Sequence, residues 1–298
     1  MTPPAGGYAW WYVDALSDDG AFGITLIAFL GSVFSPYYKW ARRSGGGDPM
    51  RHCALNVALY GPRARWAMTE RGRGALARTP THLRIGPSAL DWDGTSLRVR
   101  FDERGMPLPR RVRGEVRLLP MAMPGRSFAL DPAGRHVWSP LAPLARVEVA
   151  LDAPALRWSG AGYLDMNVGA APLEADFVRW DWSCARMRDG AAVLYDAWHR
   201  AGSDSSLALR FDARGGCEEF APPPRADLPR TLWRVARGTR GAARVERTLE
   251  DTPFYARSVL SARMLGEDTL AVHESLSLDR FRNPIVQAML PFRMPRRG

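Results

Sequence analysis

From His82 to Met121 the chain alternates apolar residues with arginines and reverses direction roughly every eight to twelve residues, a grammar that restricts it to antiparallel β structure. Leu83-Arg84-Ile85, Leu90-Asp91-Trp92 with its Asp93-Gly94 turn, Leu97-Arg98-Val99-Arg100-Phe101 and Val112 to Leu118 each place an apolar side chain at every second position. Side chains on a strand alternate between faces, so a period of two buries one face and turns the other outward. Short strands of this kind predict a β-sandwich or barrel.

The same grammar restarts after Gly169. Phe177 to Ser183, Ala192 to Trp198, Ser206 to Phe211, Thr231 to Ala236, Ala243 to Leu249 and Asp268 to Leu276 read as further strands. Pro222-Pro223-Pro224 falls between strands and reads as a loop. Two β-rich halves of similar length, each opened by a Trp-containing strand, predict tandem domains over 1–172 and 173–298, although no residue-level repeat is visible. The run from Ala21 to Phe34 is too short to span a bilayer as a helix, and its β-branched and aromatic content predicts a buried strand. With Trp10 to Asp14 it makes a hairpin that could floor a cavity. Tyr37 to Asp48, aromatic, basic and with three glycines before Asp48, predicts a loop serving as a lid or membrane-facing tip. Over Asp279 to Gly298, Phe281, Ile285, Val286, Met289 and Leu290 fall at helical spacing and predict a short amphipathic C-terminal helix.

The formal charge is +10, but of 41 basic residues only Lys39 is a lysine. The arginines are scattered along alternating strands and no nucleic-acid fold signature appears, so nucleic acid is not an expected partner. Positive surplus suits peripheral contact with an anionic membrane. Cys53, Cys184 and Cys217 are an odd count at unrelated spacings, which argues against a disulfide framework or a zinc site. The five histidines include no pair at i, i+4, so no metal is expected. The N-terminal segment has neither a basic nor an apolar signal region, which points to the cytoplasmic side.

The stretch that concentrates chemistry is Gly162 to Gly169, together with His136-Val137-Trp138 about two dozen residues earlier. On a strand, Tyr163, Asp165 and Asn167 share one face, and His136 and Trp138 share another such face. By periodicity alone a Tyr/Asp/Asn face reads as the wet side of a half-buried strand. The other reading is that a carboxylic acid, a phenol, an imidazole and an indole line one cavity.

Gly6 to Ala15 with its Trp10-Trp11-Tyr12, Gly31-Ser32-Val33-Phe34-Ser35-Pro36-Tyr37-Tyr38, His136-Val137-Trp138-Ser139-Pro140, Gly160 to Gly169 and Leu290 to Pro295 together resemble the bacterial carotenoid 1,2-hydratases, also called hydroxyneurosporene synthases. The resemblance spans nearly the whole chain. It implies an all-β protein of two lipocalin-like barrel or sandwich domains in tandem with a short C-terminal helix. The implied activity is cofactor-independent addition of water to the terminal double bond of acyclic carotenoids such as neurosporene or lycopene, giving a tertiary alcohol. His136, Trp138, Tyr163 and Asp165 fall on the family's histidine, tryptophan, tyrosine and aspartate. One departure is Val168, where many members carry tryptophan.

In that chemistry Asp165 is the expected general acid, because desolvation keeps a buried carboxyl neutral. Trp138 would offer its face to a tertiary carbocation, Tyr163 would orient the acid or the water, and His136 would relay the proton. Trp10, Trp11, Tyr12, Tyr37, Tyr38, Trp180 and Trp182 are the expected substrate-binding aromatics. The expected location is peripheral, on the cytoplasmic face of a bacterial inner, photosynthetic membrane. Competing functions are a lipocalin-like carrier of a hydrophobic isoprenoid and a pericyclase-like enzyme on the same fold.

Overall fold

A computed structural model describes residues 2–297. The chain divides into two compact units, one made of residues 2–129, 135–172 and 288–297, the other of 130–134 and 173–287. Both are strand-rich and paired almost throughout in antiparallel fashion, so the all-β expectation holds.

The first unit opens with β1 (Tyr8–Ser17), β2 (Gly23–Leu30), β3 (Cys53–Tyr60) and β4 (Arg65–Arg71). It continues through β5 (Leu76–Arg78), β6 (His82–Ile85), β7 (Ser88–Trp92), β8 (Leu97–Arg104), β9 (Arg111–Pro120) and β10 (Phe128–Ala129) to two long strands, β11 (His136–Ala153) and β12 (Ala155–Gly169). The sheet order is β4-β3-β2-β1-β12-β11-β9-β8-β7-β6-β5, with β10 beside β11. Strands near the two ends of this order meet because the sheet curls. Arg71 of β4 forms a bidentate pair with Glu103 of β8 at 2.6 and 3.0 Å, and Ser88 donates to the same carboxylate at 2.7 Å. Beside them the backbone closes so tightly that a Cβ on Gly105 would lie 2.5 Å from the Trp66 carbonyl oxygen.

Alternation decides what the curl encloses. Ala9, Val13 and Ala15 of β1 join Leu26, Val57, Val99, Val116, Val147 and Leu164 in one apolar core. Burying such side chains supplies roughly 25 cal/mol per Å² of apolar surface removed from water. The opposite face of β1 and β12 carries Trp10, Tyr12, Asp14, Tyr163, Asp165 and Asn167.

One local expectation needs correction here. Pro36–Arg43 is a helix, α1, where a loop was expected. Ser35 accepts from the Tyr38 amide at 3.1 Å as N-cap, Pro36 occupies the first turn, and Arg42 and Arg43 sit at the C-terminal end where the helix dipole favours cations. The expected short C-terminal helix is present as Pro284–Arg293, preceded by a five-residue helix, Leu278–Arg282. Pro284 forces Asn283 out of helical geometry, to ψ 128°. Beyond these helices Arg296–Arg297 pairs in parallel with β4 and covers part of that strand's open edge.

The second unit begins with α2 (Leu173–Asp176), and its strands are β13 (Phe177–Met187), β14 (Gly190–His199), β15 (Asp204–Asp212), β16 (Cys217–Glu219), β17 (Arg225–Leu228), β18 (Arg237–Arg240), β19 (Ala243–Asp251), β20 (Tyr255–Met264) and β21 (Glu267–Ser277). Seven form one sheet in the order β16-β15-β14-β13-β21-β20-β19, around a core that includes Ala185, Leu194, Leu260 and Met264. The strands β17 and β18 form a separate hairpin. The strand expected over 231–236 is instead the turn of this hairpin. Arg234 at φ 60° takes a left-handed conformation that no strand accommodates.

Candidate active site

β12 lies between β1 and β11, and its register with them builds the site. Tyr12 of β1 and Pro140 of β11 oppose Asp165; Trp10 and Trp138 oppose Asn167; Asp14 opposes Tyr163. The β11 ladder slips between Pro140 and Ala142, beside Asp165. Proline has no N–H to give, and bulges of this kind bend a strand and re-aim its side chains.

The outcome is a convergence on one carboxyl group. The Trp138 indole Nε1–H donates to Asp165 Oδ2 at 2.8 Å, and the Tyr163 hydroxyl donates to the same oxygen at 2.8 Å. The Asn167 amide lies 3.4 Å from Oδ1. Tyr163, Asp165 and Asn167 are 4%, 5% and 4% exposed, and Trp138 is wholly buried. The wet-face reading of this strand is therefore wrong. Periodicity distinguishes two faces but cannot tell which of them water reaches.

Three of the expected catalytic residues, Trp138, Tyr163 and Asp165, thus meet, and His136 stands at the far end of the same face. Its Cα opposes Gly169, four residues along β12 from Asp165, or roughly 13 Å of extended chain. Its Nδ1 shares a 2.8 Å hydrogen bond with the Tyr8 hydroxyl. Tyr8 was not among the expected residues, although the alternation of β1 puts it on the same face as Trp10, Tyr12 and Asp14. Gly169 makes room for it: a Cβ there would lie 2.3 Å from the Tyr8 ring. Tyr8 stacks on Trp10 at 4.8 Å, Tyr12 meets Tyr163 edge-on at 6.1 Å, and Phe128 flanks Trp138 at 5.7 Å. Asp14, also buried, accepts from Thr25 at 3.4 Å.

The other expected aromatics lie elsewhere. Trp11 faces the apolar core of the first unit. Tyr38 is buried in α1, where its hydroxyl donates to the Gly7 carbonyl at 2.6 Å and burial pushes its pKa up to about 12. Tyr37, half-buried, meets Trp40 edge-on at 5.9 Å. Trp180 and Trp182 are buried on β13 of the second unit, Trp180 against Phe177 and Tyr195. Among the described residues, no three His, Cys, Asp or Glu side chains are grouped to hold a metal ion.

Known proteins share both the sequence and the architecture. Residues 26–298 match the family model for "Carotenoid hydratase CrtC". The acyclic carotenoid 1,2-hydratase of Thiocapsa roseopersicina is 61% identical over 304 residues, covering 100% of this chain and 75% of that protein. The enzyme of the same name from Rubrivivax gelatinosus is 53% identical over 303 residues, covering 99% and 75%. Among solved structures, an AttH-type protein of Nitrosomonas europaea superposes with a TM-score of 0.64 over 91% of this chain and 92% of its own, at 17% identity, a likeness of fold alone.

Proposed function

The chain belongs to the carotenoid hydratase family, and from that membership we propose that it adds water across the C1–C2 double bond at the end of an acyclic carotenoid, with Asp165 delivering the proton. The observation that carries the assignment is the meeting of the Trp138 and Tyr163 donors on Asp165 Oδ2 within a buried face.

An isolated alkene is a very weak base, so the reaction needs a neutral acid held against the carbon that bears hydrogen. Two donors on Oδ2 lower the basicity of that oxygen and direct the acidic proton to Oδ1. The same donors stabilise the carboxylate that remains once the proton has moved. Proton transfer to C2 leaves a tertiary cation at C1. An aromatic face beside that cation stabilises it by roughly 0.5 to 2 kcal/mol, and Trp138, Tyr163 and Tyr12 offer such faces. Water then bonds to C1 and loses a proton, which restores the acid. His136, roughly 13 Å of chain from Asp165 and paired with Tyr8, is too far to hand that proton to Asp165 directly. The sum is addition of H2O with no change of oxidation state, so no redox cofactor is called for.

The direct test is incubation of the purified protein with lycopene or neurosporene in heavy water. The expected product has gained one water and carries one deuterium on the carbon next to the new carbinol. A product with the added oxygen but no deuterium at that carbon would refute protonation by an exchangeable acid.

The substrate is a hydrocarbon that dissolves in lipid, and among the described residues no helix is long and apolar enough to cross a membrane. Peripheral contact with the cytoplasmic face of the membrane is part of the proposal. Trp40 in α1 is 53% exposed beside Arg42 and Arg43, and Ile285 and Phe292 are 72% and 75% exposed near Arg293. Each arginine close to an anionic surface contributes on the order of 1 kcal/mol. The wild-type protein is expected to co-sediment with phosphatidylglycerol vesicles at low salt and to be released as salt screens the attraction. Failure to bind at low salt would exclude this contact.

A further inference from the structure

The hairpin of β17 and β18 belongs to neither large sheet, yet its base is anchored with unusual thoroughness in the second unit. Gly238 donates its amide to Asp181 at 3.2 Å, and its carbonyl is 2.7 Å from Nε2 of His273. Burial lowers the His273 pKa to about 4, so the ring is neutral at pH 7 and donates this Nε2–H. Arg240 pairs with the buried Asp196 at 2.6 Å. Arg237 donates to the Pro229 carbonyl at 2.7 Å and to Ser258 at 2.9 Å.

The turn at the other end is just as constrained. The Arg234 amide donates to the Thr231 carbonyl at 2.9 Å, and the Val235 amide to the Thr231 hydroxyl at 3.1 Å. Arg234 at φ 60° completes a three-residue loop in which a turn is followed by a left-handed residue. Arg280 reaches the Trp233 carbonyl at 2.8 Å, and Asp251 accepts from the Trp233 amide at 3.2 Å. What this frame displays is apolar: Leu232 is 97% exposed and Trp233 is 47% exposed, with exposed Arg230 and Arg234 on either side. A fixed backbone stops Leu232 from folding back onto the protein, and left-handed strain at a non-glycine residue points to a demand other than stability.

We infer that the Leu232–Trp233 turn is a lipid-insertion finger, seating its apolar pair at the acyl boundary of an anionic membrane while Arg230 and Arg234 meet the headgroups. The inference rests on the reading that the substrate is a lipid-borne carotenoid. A leucine and a tryptophan flanked by arginines have the composition of an interfacial anchor, with the indole at headgroup depth. The charge selects an anionic bilayer over an apolar protein groove.

The test is co-sedimentation of the full chain with vesicles of phosphatidylcholine mixed with phosphatidylglycerol. Leu232→Asp should weaken binding at least about tenfold, as expected for removing one inserted leucine and adding a like charge. Leu232→Phe should bind as the wild type does. Leu108→Asp, at a 64%-exposed position of the first unit, should also leave binding unchanged. Hydration of detergent-dispersed lycopene should be the same in all three variants, which separates the finger from the chemistry. Equal vesicle binding by Leu232→Asp and wild type would overturn the finger while membrane contact stood. An equal loss in Leu108→Asp would overturn it as well, and a wild type that binds no vesicles would remove finger and membrane contact together.

Discussion

Asp165→Asn is expected to slow hydration of lycopene by at least roughly 10²- to 10⁴-fold, the contribution of a positioned general acid, while folding and substrate binding survive. The amide keeps the shape of the carboxyl, and its oxygen can still accept from Trp138 Nε1 and Tyr163 OH, so the surrounding face stays packed. What disappears is the acidic proton. Tyr163→Phe and Trp138→Phe remove one donor each from Oδ2 and should cost less than losing the acid. For Trp138 the phenyl face keeps part of the cation stabilisation, so Trp138→Ala should be slower still. The checking measurement is single-turnover product formation beside carotenoid binding. A well-folded Asp165→Asn protein that turns over at near wild-type rate would remove Asp165 from the reaction and with it the proposed mechanism.

Glu103→Ala is expected to destabilise the first unit by about 3–5 kcal/mol, the cost of leaving one member of a buried ion pair uncompensated. Arg71 is 7% exposed, so its guanidinium would be stranded where β4 meets β8, and Ser88 would lose its acceptor. Burial pushes the Glu103 carboxyl above its usual range and the two-point contact with Arg71 opposes that shift, so the pair holds only as a unit. Replacing both partners, as in Arg71→Met with Glu103→Leu, should recover most of the loss, because apolar side chains need no counter-charge. Denaturant unfolding of the three variants would decide it. A Glu103→Ala protein within about 1 kcal/mol of wild type would show that the pair does not hold the curled sheet together.

Several features were legible in the residues alone. Alternation assigned Tyr163, Asp165 and Asn167 to one face of β12 and Leu164, Met166 and Val168 to the other. Motif order along the chain pointed to the carotenoid hydratases, and the apolar run after Trp10 to Asp14 marked the first hairpin. These are local properties, set by backbone geometry over a few residues. Local signals misled where a neighbouring residue outweighed them. The three glycines after Arg43 concealed the helix that Ser35 and Pro36 begin, and apolar spacing concealed the break that Pro284 imposes.

The sequence by itself determined the strand grammar, the division of side chains between two faces, and the family. The tertiary structure decided which face water reaches, and so turned a Tyr/Asp/Asn stripe that periodicity reads as wet into a buried acid. It also paired Tyr8 with His136 across 128 positions and Arg71 with Glu103 across 32. Such pairings follow from how far a sheet curls and which strands it brings together, a sum of many packing contacts distant in sequence that no stretch of residues records.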